Sequence, residues 1–67
     1  MPDLEELERE KLDLESRRLK VYRKYNDKRM RGERVSKEQG DMTYIESRIE
    51  EVKVKIAEEM KRQNEQV

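Results

Sequence analysis

In the second half of the chain, Met42, Ile45, Ile49, Val52 and Ile56 follow one another at spacings of 3, 4, 3 and 4. That alternation lays one apolar stripe along a helix and is the a/d seam of a coiled coil. Glu46, Arg48, Glu50, Glu51, Lys53 and Lys55 stand between these positions, all of them good helix formers or soluble charges. The spacing predicts a helix over about 42–63, with Met60 extending the stripe. Such a stripe needs a covering helix.

The first half offers one. From Leu4 the apolar positions are Leu7, Leu12, Leu14, Leu19, Val21, Tyr22, Tyr25 and Met30. At 100° per residue these nine fall within an arc of about 180°, wider than the stripe of an ordinary amphipathic helix. Leu7, Leu14 and Val21 repeat every seven residues, and Leu12 and Leu19 do the same on the opposite flank. So wide a face predicts two neighbours, the chain's own second helix and a helix of a second chain. Pro2 suits a first turn, and Asp3, Glu5 and Glu6 complement the positive end of the helix dipole, so this helix is expected over about 3–30. Asn26-Asp27 is a poor helical pair that should weaken it beyond Tyr25. Gly32 follows Lys28, Arg29 and Arg31 as a candidate C-terminal cap.

A connector is then expected over about 31–41. Ser36 with Gln39 and Thr43 with Glu46 each have the spacing of a capping box. Helix therefore begins either near Ser36, with an irregularity at Gly40, or near Met42. A turn centred near residue 35 or 36 pairs Leu14 with Ala57, Val21 with Ile49 and Tyr25 with Ile45. That match favours a hairpin over one continuous helix shared by two or more chains. Residues 64–67 carry no seam and form an expected frayed tail.

Length and composition sharpen this picture. The 67 residues make one domain, 1–67, of which 51% are charged and 31% hydrophobic, with three Tyr and no Phe or Trp. Charge at that level laid over regular apolar spacings is the composition of long helices and coiled coils. Without cysteine or histidine, neither a disulfide nor a zinc site can staple so small a fold, so pairing between chains is the expected remedy. The chain contains no apolar run of the roughly 18 residues that would span a membrane. Its acidic start, MPDLEELERE, lacks the apolar core of a secretory signal, and a cytoplasmic location is expected.

The formal net charge is zero, yet it is strongly segregated. Residues 1–16 hold seven acidic and two basic groups, net −5; residues 17–37 hold two acidic and ten basic, net +8; residues 38–67 hold eight acidic and five basic, net −3. A hairpin gathers Arg17, Arg18, Lys20, Arg23, Lys24, Lys28, Arg29, Arg31, Arg34 and Lys37 around its turn and leaves the acidic groups at its open end. A field of that density attracts phosphate or an acidic protein surface, and fades with salt.

Specific chemistry finds little support. Tyr22 and Tyr25, interleaved with the cations, could stack on bases; their place on the apolar face assigns them to the core instead. Glu50-Glu51 and Glu58-Glu59 lack the desolvated cleft that acid–base work requires. Ser16, Ser36 and Ser47 have neither His nor Cys to activate them. A bundle-type bridging metal site needs a Glu-x-x-His repeat, and the chain has no His. The expectation is a non-enzymatic protein with no catalytic residue, cofactor, metal, small-molecule substrate or membrane partner.

In length and layout the chain is similar to the small helical hairpins that pair into four-helix bundles, although it shares no residue motif with them. The expected fold is all-α: a two-helix antiparallel hairpin, coiled-coil-like, pairing into a dimeric four-helix bundle. Its packing positions are Leu7, Leu12, Leu14, Leu19, Val21, Tyr25, Met42, Ile45, Ile49, Val52, Ile56 and Met60. The expected function is a protein–protein interaction or assembly module that self-associates. The alternative is a nucleic-acid-binding accessory protein using residues 17–37.

Overall fold

The computed structural model describes residues 3–65; Pro2 and the end of the expected tail, Gln66 and Val67, lie outside them. Helix α1 spans Leu4–Met30 and helix α2 spans Ser36–Glu65. They pack side by side as a helical hairpin, a rod with extents of 56 × 16 × 14 Å.

Helix α1 begins where its first unpaired N–H groups find a side-chain acceptor. Asp3 occupies the N-cap, and its carboxylate accepts from Glu6 N at 2.8 Å. Glu5 and Glu6 in the first turn, and Lys28 and Arg29 in the last, both oppose the helix dipole favourably. The helix does not weaken at Asn26-Asp27: the Asp27 carbonyl still accepts from Arg31 N at 3.2 Å. A poor pair costs a few tenths of a kcal/mol in propensity, which packing readily overrides.

Gly32 ends α1. Its N–H donates to the Arg29 carbonyl at 3.1 Å, and Glu33 N donates to the Lys28 carbonyl at 2.9 Å. Together these bonds make the paired closure of a Schellman motif, which requires a left-handed residue between them. Gly32 supplies it at φ +73°.

The connector is shorter than expected, five residues over 31–35 rather than 31–41. Gln39 N donates to the Val35 carbonyl at 2.9 Å, so α2 is already under way at Ser36 rather than at residue 42. Neither expected capping box holds its start. Ser36 lies inside the first turn, and Thr43 is mid-helix, its hydroxyl donating back to the Gln39 carbonyl at 3.0 Å. Gly40 causes no break, and the helix also continues past the expected end through Glu65.

These two glycines should respond oppositely to alanine. A Cβ at either position meets nothing within 4 Å, so backbone preference alone decides. Gly32→Ala is expected to destabilise by about 1–2 kcal/mol through its left-handed φ. Gly40→Ala is expected to stabilise by about 0.5–1 kcal/mol through helix propensity. Thermal unfolding of the two variants checks both signs.

The core is a single file of buried side chains: Leu7 and Leu14 from α1 against Ile45, Ile49 and Val52 from α2, with Val21 and Ile56 packed partly against them. Val52, at 1% exposure, is the most enclosed. The register differs from the sequence expectation. Lys28 and Glu38, in direct contact across the hairpin, are equidistant from residue 33, the middle of the loop. Val21 shares a cleft with Ile45 rather than facing Ile49, and Ala57, the expected partner of Leu14, is exposed. A loop of five residues instead of eleven moves the centre of the turn back from 35 or 36, sliding α2 by about one helical turn.

Candidate interaction surfaces

The hairpin presents three chemically distinct features: a part-buried ion pair at the turn end, a basic region around it, and an apolar stripe along α1.

The ion pair arises because the seven-residue repeat of Leu7, Leu14 and Val21 arrives next at Lys28, and the repeat of Val52 and Ile45 arrives at Glu38. The two chain halves thus bring opposite charges to consecutive seam positions. Lys28 Nζ donates to Glu38 Oε1, and the Glu38 side chain is only 6% exposed. Lys28 holds the Glu38 carboxyl below the usual glutamate range, aided by Glu38's own backbone N–H in the first turn of α2 and by the charge of Lys37; burial opposes the shift but is outweighed. Lys24, Asp27, Arg31, Lys37 and Asp41 line the same cleft. Glu38 was not a candidate from sequence, where it reads as one more surface glutamate. Its signal is its position, seven residues before Ile45 and fourteen before Val52.

Most of the expected basic region is open. Of its ten cations, Lys28 is committed to Glu38, and Arg31 lies 3.5 Å from Glu33. Arg17, Arg18, Lys20, Arg23, Lys24, Arg29, Arg34 and Lys37 are exposed, and among the described residues no ion pair engages them. The acidic helix pairs behave differently. Glu50 and Glu51 meet Lys53 and Arg48, and Glu59 meets Arg62 at 2.7 Å. Arg48 also reaches across to Glu10 at 3.0 Å and ties the helices near mid-rod. Exposed pairs of this kind contribute about 0–1 kcal/mol each. Among the described residues, no group of three or more acidic side chains is placed to hold a metal ion.

The apolar stripe comprises residues that the fold leaves outside. Of the twelve expected packing positions, Leu12 is 65% exposed, Leu19 58% and Met60 48%. Tyr25 and Met42 are half-buried. Tyr22, expected in the core, is 52% exposed, its ring centroid 6.3 Å from that of Tyr25 in a tilted contact. The reason is geometric: Leu12 and Leu19 each follow a core leucine by five residues and so sit about 140° further round α1. One neighbouring helix cannot cover both directions. Leu19 and Tyr22, with Arg18, form a groove whose far wall is Glu46 of α2.

No protein-family model matches the chain, and no curated protein or solved structure matches it. The physical chemistry of these surfaces therefore carries the functional reading. Among the described residues, no helix is long and apolar enough to cross a membrane. Scattered apolar side chains are normal on a protein surface. Leu12, Leu19 and Tyr22 differ in forming a row, with spacings of 7 and 3 that keep them on one flank of a straight helix.

Proposed function

We propose that this protein is a non-enzymatic assembly module, a helical hairpin that self-associates through its amphipathic helices into a dimeric four-helix bundle and engages protein partners through that assembly. The observation that carries this reading is the contrast between a five-residue core and an ordered apolar row left exposed beside it. The buried side chains Leu7, Leu14, Ile45, Ile49 and Val52 are few for a chain of this length. A domain below about 70 residues seldom draws more than 3–5 kcal/mol from one core, and oligomerisation is a common supplement. Leu12, Leu19 and Tyr22 supply the additional apolar surface that a second pair of helices would bury.

Sedimentation at low micromolar concentration tests it. The wild-type chain should run as a dimer, and Leu12→Ser/Leu19→Ser should run as a monomer with less helix. A wild-type chain that is fully folded as a monomer at that concentration refutes the proposal.

The eight exposed, unpaired cations of residues 17–37 favour a second reading, a nucleic-acid-binding accessory role in which those residues meet phosphate. Titration with duplex and single-stranded probes at several salt concentrations separates the two. Phosphate contacts give affinity that falls steeply with salt and declines evenly across sequences in Arg23→Ala. No binding at low salt removes this reading.

A further inference from the structure

We infer that the Leu12–Leu19–Tyr22 row is covered by a second copy of this chain lying end-for-end, so that α1 packs against α1 of the other copy and the two turns point in opposite directions. This rests on the self-association proposed above and adds to it the face and the orientation.

Two hairpins stacked face to face about a two-fold axis have two choices. With the axis along the rod, the turns lie at the same end and α1 of each copy covers α2 of the other. With the axis across the rod, the turns lie at opposite ends and like helices cover one another, antiparallel. The apolar row is on α1, and the second choice brings the two rows together. Residues related by such an axis meet one another's equivalents, so the surface must be complementary to itself when reversed.

Charge decides between the choices more sharply. The segment 17–37, which forms the second half of α1, the turn and the start of α2, carries net +8, whereas 1–16 carries net −5 and 38–67 net −3. Packed helices lie about 8–10 Å apart, within or near the screening length of about 8–10 Å at ordinary ionic strength. Turns at the same end would hold two +8 segments side by side at that separation. Reversal instead sets each basic segment against the acidic open end of the other copy. The flank of α1 that carries the row shows the same division, with Glu5, Glu8 and Glu15 against a single Lys11 in its first half and Arg18, Arg23 and Arg29 in its second. Of the six besides Lys11, Glu5 and Glu15 are in ion pairs among the described residues, with Arg9 at 3.4 Å and Lys11 at 3.9 Å; Glu8, Arg18, Arg23 and Arg29 are in none.

A single spin label at Arg34→Cys, in the exposed loop, reads the orientation by pulsed dipolar distance measurement. End-for-end pairing predicts a label-to-label distance approaching the 56 Å length of the rod. A short distance, with the labels adjacent, overturns the orientation while leaving self-association intact. The absence of any dipolar coupling at a concentration where the unlabelled protein is dimeric by sedimentation also overturns it, whereas a monomer by sedimentation defeats the underlying proposal. Charge exchange is the second measurement. Arg18→Glu/Arg23→Glu should weaken pairing by about tenfold or more, and adding Glu8→Lys/Glu15→Lys to the same chain should restore it. An unchanged dissociation constant in the first variant, or no recovery in the second, counts against the arrangement.

Discussion

Val52→Asp is expected to abolish the helical circular dichroism of this protein, while Val54→Asp, two residues away, should leave it nearly intact. Val52 is 1% exposed between the helices, and Val54 is 55% exposed on the outer side of α2. At the inner position the substitution removes a packed aliphatic group and places a carboxylate among the apolar side chains of the core. The combined cost is about 4 kcal/mol or more, comparable to the whole of the roughly 3–5 kcal/mol that a core this small supplies. At the outer position the new charge stays in water, and the loss is within about 0.5 kcal/mol. Equal helical signals from the two variants would show that Val52 does not lie in the core.

The second large effect is an acid-dependent one at the turn end. Because the folded state holds the Glu38 carboxyl below its ordinary range, chiefly through Lys28, the ionised form is tied to the fold. Its contribution is present in full above the ordinary glutamate value of about 4.3. It is lost as the pH falls through that value and on through the lower folded one. Glu38→Gln should therefore unfold at a lower temperature than the wild type near neutral pH, and the gap should close on acidification. Lys28→Met leaves the enclosed carboxylate without its first donor. That variant should lose less stability with acid than the wild type does. A gap between wild type and Glu38→Gln that stays constant from neutral pH into the acid range would contradict the role assigned to the pair.

The existence of two helices was legible because apolar periodicity records burial directly: Ile45, Ile49, Val52, Leu7 and Leu14 are where that pattern puts them. The register was not legible, for a reason contained in the pattern itself. Seam residues recur every three or four positions, so sliding α2 by one turn exchanges Ile49 for Ile45 opposite Val21 and costs the apolar match almost nothing. Charged residues at otherwise apolar seam positions can settle such an ambiguity, and here Lys28 and Glu38 are the pair that does so. Capping was misread for a related reason. Ser36 and Thr43 have the right residue types at the right spacing, but Val35 takes the N-cap position because the Gly32 closure already turns the chain there. The width of the α1 face pointed to two neighbours. The hairpin supplies one of them, on the side of Leu7 and Leu14.

Both ends of the described chain emerge at the same tip of the rod. Tension applied through them would peel the helices apart rather than shear them. The layers would part in succession, the Leu7 layer first and the Lys28–Glu38 latch last. A hairpin pulled this way yields at low force even when it resists heat, whereas the same hairpin gripped at its turn and at one end must break its whole length at once.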